Sequence, residues 1–151
     1  MRVHHIGYLT KRLCDSETAF LALGWRVEQA AAFDPLRRAN ISFLSNGAYR
    51  VELIEPCGKD SPLYPLLRHY RNTPYHVCYA VADLTTGRVC MEKNGCHVIR
   101  EREVAPCLGG RNVAFFMHPD AGMIELVEDT HVNEYTYDEI VPLNYPPPSN
   151  V

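Results

Sequence analysis

Four residues in this chain recur in pairs and could together hold a metal ion. His5 sits in the apolar run Val3-His4-His5-Ile6-Gly7-Tyr8-Leu9, and His76 sits in Tyr75-His76-Val77-Cys78-Tyr79-Ala80-Val81. The interval from His5 to Gly24 is the same as that from His76 to Gly95. Each half then closes on an apolar run with an acid inside it: Val51-Glu52-Leu53-Ile54-Glu55 in the first, Ile124-Glu125-Leu126-Val127-Glu128 in the second. A duplicated fold brings equivalent positions together across a pseudo-twofold axis. Two imidazoles and two carboxylates, His5, Glu52, His76 and Glu125, then form a set of donors suited to a divalent metal. His4 and His118 have no partner across the repeat; alternation from His5 turns His4 outward, and His118 reads as a turn residue. Glu55 and Glu128 fall an odd number of positions past the paired acids, on the opposite face of their strands.

The elements that must carry these residues repeat in the same order. Residues 3–9 read as a strand of β-branched and aromatic residues. A helix opens near Asp15-Ser16-Glu17, with an apolar stripe of Ala19, Phe20, Ala22 and Leu23, and closes at Gly24. Strands follow over 25–30, 40–45 and 48–55, the last two joined by a tight turn at Asn46-Gly47. The second half predicts a strand over 76–81, a helix from Asp83 to Asn94 closed by Gly95, and strands over 97–103, 114–118 and 123–128. Leu13, Phe20 and Val27 recur as Leu84, Met91 and Val98 at the offset that takes His5 to His76. The organisation is a βαβββ module over 1–56, a linker loop with a short amphipathic helix over 57–74, a second βαβββ module over 75–130, and a proline-rich tail over 131–151. The class is α+β.

Composition narrows the function. The chain of 151 residues is 46% hydrophobic, enough for a real core. A net charge of −3 and a pI near 6.1 point away from nucleic acid and anionic membranes. The chain has no apolar run long enough to span a bilayer and no secretory leader, which predicts a cytoplasmic protein. Its six cysteines form no C-x-x-C pair and read as buried or inert thiols.

These residues resemble the vicinal oxygen chelate superfamily of glyoxalases, bleomycin-resistance proteins and dioxygenases. The stretch Val51 to Pro62, an apolar strand running into Pro56-Cys57-Gly58-Lys59-Asp60-Ser61-Pro62, is similar to methylmalonyl-CoA epimerases, as are Phe116-Met117-His118-Pro119 and Gly122-Met123-Ile124-Glu125-Leu126. The H-E-H-E set resembles the metal-dependent bacterial glyoxalase I enzymes. The resemblance implies a cupped eight-stranded mixed sheet made of two four-stranded halves, a homodimer, and a site that takes Ni, Co, Mn or Zn on His5, Glu52, His76 and Glu125. It implies proton transfer next to a carbonyl through a metal-stabilised enolate or enediolate. Glu125 is the expected base, with Glu52 as the second candidate. The substrate would be an acyl thioester, as in an epimerase, or a hemithioacetal, as in lactoylglutathione lyase.

Phe43 and Phe116 are expected to line the pocket, and Tyr8, Tyr75 and Tyr79 to pack. Arg37, Arg38, Arg100, Arg102 and Arg111 are candidate cations for a substrate carboxylate, Arg111 among the expected pocket residues. The strand Asn40-Ile41-Ser42-Phe43-Leu44 lacks the second acid that epimerases of this kind use. Two other functions use the same fold. A drug-sequestering protein would lack the metal ligands, and an extradiol dioxygenase would want iron on two histidines and a single carboxylate.

Overall fold

A computed structural model describes residues 1–131. Its elements run β1 (Arg2–Leu9), α1 (Leu13–Ala22), β2 (Arg26–Asp34), β3 (Ala39–Asn46), β4 (Tyr49–Pro56), α2 (Tyr64–Tyr70), β5 (Thr73–Val81), α3 (Leu84–Lys93), β6 (His97–Ala105), β7 (Arg111–His118) and β8 (Gly122–Glu128), with a 3-10 turn at Pro106–Leu108. The expected tail lies outside the described residues, apart from its first residue.

The eight strands form one mixed sheet in the order β2-β3-β4-β1-β5-β8-β7-β6. Exchanging the two modules leaves that order unchanged. β1 and β5 pair antiparallel at the centre, while β1 runs parallel to β4 and β5 parallel to β8. The twofold relation expected from the repeat therefore lies along the β1–β5 seam.

The sheet is curled, and two contacts tie its distant edges together. Gln29 of β2 donates from Nε2 to the Cys107 carbonyl at 3.1 Å, and Arg37, just past β2, reaches Glu103 of β6 at 2.8 Å. The trough so formed is lined by Leu9, Ile41, Phe43, Ile54, Cys78, Val113 and Val127. α2 supplies Leu67 to the same cluster, with Leu63 and Leu66 packed against it. The linker helix thus plugs part of the trough. On the outer face, α1 covers Leu44, Val51 and Leu53, and α3 covers Ala114, Phe116 and Leu126.

Two local details differ from expectation. α1 begins at Leu13, two residues early, and buries Leu13 and Ser16 with Phe20 beside them, while Ala19, Ala22 and Leu23 face solvent. The buried stripe follows i, i+3, i+7. It was hidden by its polar member, Ser16, whose hydroxyl lies 2.6 Å from that of Thr10. The β3–β4 turn is Gly47-Ala48, between the paired Asn46 and Tyr49, and Gly47 takes a φ of +60°. All six cysteines are free thiols, Cys78, Cys96 and Cys107 buried and Cys14 and Cys57 exposed.

Candidate metal centre

The seam of the sheet sets up the site. β1 places His5 opposite Cys78 and Gly7 opposite His76, and the flanking parallel strands carry Glu52 and Glu125. His5, Glu52, His76 and Glu125 are all buried, with 1%, 6%, 3% and 3% exposure. His5 Nε2 is 3.2 Å from His76 Nε2, 3.2 Å from Glu52 Oε2 and 3.2 Å from Glu125 Oε2. His76 Nε2 is 3.2 Å from Glu125 Oε2 and 3.7 Å from Glu52 Oε2. One donor atom from each residue falls within 4.8 Å of all the others.

Gly7 makes this approach possible. A Cβ there would stand 2.1 Å from the His76 ring, so only glycine leaves the imidazole its place.

The electrostatics are those of a cation site. Burial works against a proton on His5, but Glu52 and Glu125 outweigh it and raise the imidazole to about 9. Burial also favours the neutral form of Glu125, yet the imidazoles of His5 and His76 override it and hold the carboxyl well below the usual carboxylate range. Glu125 Oε2 is sealed from solvent and has no hydrogen bond of good geometry. An unsatisfied buried carboxylate oxygen costs about 1–3 kcal/mol or more. Two ligands at about 2.1 Å from one ion are about 3.0 Å apart at a right angle and about 3.4 Å apart at a tetrahedral angle. The observed separations of 3.2 Å fall in that interval. The four residues fit a divalent ion.

Two residues enter the trough that strand alternation would have sent elsewhere. The β1–β5 register slips once between Val3 and His5 and once between Gly7 and Tyr8. These bulges fall at His4 and, across the seam, at Tyr75, each the residue just before a site histidine. A bulge re-aims the side chain it carries. His4 turns back so that its Nδ1 lies 2.7 Å from His5 Nδ1, and Arg50 lies 3.2 Å from its other ring nitrogen. Burial, with His5 and Arg50 beside it, lowers His4 to about 3. It is therefore neutral. Arg50 is itself paired with Glu28 at 2.8 Å and stacked over Phe43 at 4.2 Å. Tyr75 lies against His76 with ring centroids 4.5 Å apart; it packs against the core cluster, as expected, and also lines a cavity.

The aromatic residues sort by pleat. Phe43 faces the site, 5.4 Å from the His5 ring. Phe116, expected in the pocket, lies instead beneath α3 with Met91 and Leu126. The residue opposite Glu125 is Phe115, 5.8 Å from His76. The β7–β8 register decides this, and a shift of one residue changes the face.

The candidate arginines are all held in ion pairs, Arg37 and Arg100 at the edge of the cavity that Tyr75 lines. Arg111 pairs with Asp129 at 3.0 Å and donates to the Leu108 carbonyl, beside a different cavity. Arg37, Arg38, Arg100 and Arg102 pair with Asp34 and Glu103, Asp60, Glu103 and Glu128 respectively. His118 accepts from the backbone N–H groups of Asp120 and Ala121 in the β7–β8 turn, as expected of a turn residue. No helix among the described residues is long and apolar enough to cross a membrane.

Solved structures share this architecture. A hypothetical protein from Bacillus halodurans superposes with a TM-score of 0.76 at 22% identity, over 88% of this chain and 97% of that one. Streptomyces coelicolor methylmalonyl-CoA epimerase in complex with 2-nitronate-propionyl-CoA gives 0.72 at 22% identity, over 88% and 97%. The Mycobacterium tuberculosis methylmalonyl-CoA epimerase gives 0.71 at 19%, over 84% and 87%. No curated protein matches the sequence. The family model that does match spans residues 4–115, most of both modules, and by that match the chain belongs to the Glyoxalase/Bleomycin resistance protein/Dioxygenase superfamily.

Proposed function

We propose that the protein is a divalent-metal-dependent enzyme that moves a proton on the carbon next to a carbonyl, as an epimerase-type isomerase acting on an acyl thioester. The observation that carries this reading is the convergence of His5, Glu52, His76 and Glu125 on one buried point beside a cavity. These four residues would hold Ni, Co, Mn or Zn, which supplies the stabilisation of negative charge on a carbonyl oxygen without which a carboxylate is too weak a base. Glu125 takes the proton. Its imidazole neighbours hold it ionised, so a lone pair is free for the proton; they also make it a weak base, which is why the charge stabilisation at the carbonyl oxygen is needed. Glu52, on the opposite module, stands where a second carboxylate can return a proton from the other side, a role that the acid-free strand β3 leaves open. Phe43 and Phe115 keep water from the reacting carbon, which strengthens every charge interaction inside.

The test is hydrogen exchange. In D₂O the metal-loaded protein is expected to place deuterium on the carbon next to the carbonyl of an acyl-CoA, and Glu125→Gln to lose the exchange while retaining metal. Absence of exchange with acyl-CoA, together with exchange of the methylglyoxal–glutathione hemithioacetal, would move the assignment to a glyoxalase I-type lyase, which the four-donor set also supports. Exchange with neither would overturn proton transfer and favour the sequestering function.

A further inference from the structure

Beside the four donors lies a pocket of about 150 Å³. Leu63 just before α2, Leu66 of α2, Ile99 of β6, Phe115 of β7 and Met123 of β8 make its apolar walls, Arg37, Arg100 and Glu103 line it too, and Tyr75 stands between it and His76. Met123 is the Cα neighbour of His76 on β8, and Phe115 faces Glu125 across β7–β8. The pocket therefore adjoins the proposed site through Tyr75, Phe115 and Met123.

Its charged groups are already matched. Arg37 donates to Asp34 at 2.9 Å and to Glu103 at 2.8 Å, and it is 9% exposed. The second carboxylate oxygen of Glu103 takes Arg100 at 3.3 Å. Two guanidiniums and two carboxylates leave no net charge, and Arg37 has both arms of its fork occupied. An anionic substituent entering here would have to break a buried pair, and stripping one partner from such a pair is costly. An uncharged apolar group disturbs none of these pairs and meets the side-chain carbon of Leu63, Leu66, Ile99, Phe115 and Met123 beside them. The volume is that of a cavity able to hold a benzene ring.

We infer that this pocket receives a compact, uncharged, apolar substituent of the substrate, a phenyl or a branched alkyl of similar bulk, borne on the carbon that loses its proton, and that it rejects a second carboxylate. The assignment rests on the proton-transfer reading for the position of that carbon, and it selects monocarboxylic acyl thioesters over dicarboxylic ones such as methylmalonyl-CoA.

Two measurements test it separately from that reading. The first uses methyl-¹³C-methionine protein treated with EDTA, so that no paramagnetic ion broadens the signals. Titration with benzene is expected to shift the Met123 methyl saturably and leave that of Met91, packed beneath α3, unmoved. Malonate should move neither. Ile99→Trp should abolish the benzene shift; Ile99 is half exposed, so the larger ring can fill the pocket without disturbing the core. The second compares D₂O exchange on the metal-loaded protein, where 2-phenylpropionyl-CoA should exchange at least tenfold faster than methylmalonyl-CoA once each rate is divided by that compound's exchange rate without protein. Benzene shifts at Met123 with no exchange from either thioester would uphold the pocket and overturn only the proton-transfer reading. Malonate shifting Met123 as benzene does, no saturable benzene shift, or methylmalonyl-CoA exchanging as fast as the phenyl compound would overturn the pocket assignment.

Discussion

His5 carries a consequence that can be checked without a substrate. In the metal-free protein its pKa is raised from an ordinary value near 6.5 to about 9, because a proton there neutralises part of the Glu52–Glu125 charge. A group raised on folding contributes stability that is complete below its unfolded pKa and is lost as pH climbs through its folded one. The metal-free protein is therefore expected to lose Tm steadily between about pH 6.5 and 9. A bound ion must displace that proton, so the added stability from saturating metal should grow over the same window. Thermal melts with EDTA and with excess Mn²⁺, run across that range, would show the two curves diverging; parallel curves would count against His5 as a ligand. His76→Ala is expected to lower metal affinity by more than the 10–100-fold typical of losing an outer partner, since it removes a direct donor. Metal content after dialysis measures this, with far-ultraviolet circular dichroism to show that the sheet survives.

At the level of elements, the site depends on how two central strands meet. The histidines, the paired acids and the βαβββ repeat were legible because apolar periodicity and repeated spacing encode strands and helices directly. The register between strands was not. One residue decides whether Phe115 or Phe116 faces Glu125, and nothing in a run of two phenylalanines and a methionine marks that choice. The bulges at His4 and Tyr75 were hidden for a similar reason, since alternation assumes an unbroken ladder. One signal was available: Gly7 stands between two large apolar residues in a strand, the mark of a close approach from another group. Gly7→Ala is expected to force the His76 ring aside and to cost about 1–3 kcal/mol in urea unfolding, as overpacking does. It should also weaken metal binding. An unchanged affinity would show that the imidazole reaches the ion from another position.

Over the whole molecule, the trough exists because its two outer strands are held toward each other. Hydrogen bonding within the sheet is continuous from β2 to β6 and would be satisfied equally by a flatter arrangement. The Arg37 guanidinium, bridging Asp34 and Glu103 across the opening, is a specific tie between the modules, and the Gln29 bond to the Cys107 carbonyl is a second. Because Asp34 is 1% exposed, removing its cation leaves a buried charge with no counter-ion. Arg37→Ala is thus expected to destabilise the protein by about 3–5 kcal/mol. The double variant Arg37→Leu with Asp34→Asn should recover much of that loss, since the apolar volume is kept and the stranded charge is gone. Amide exchange provides the spatial readout. In Arg37→Ala, protection should fall first in β2 and β6, the strands the tie connects, and hold in β1 and β5 at the seam. Equal loss of protection across all eight strands would mean that the curl is set by the sheet itself and not by its clasp.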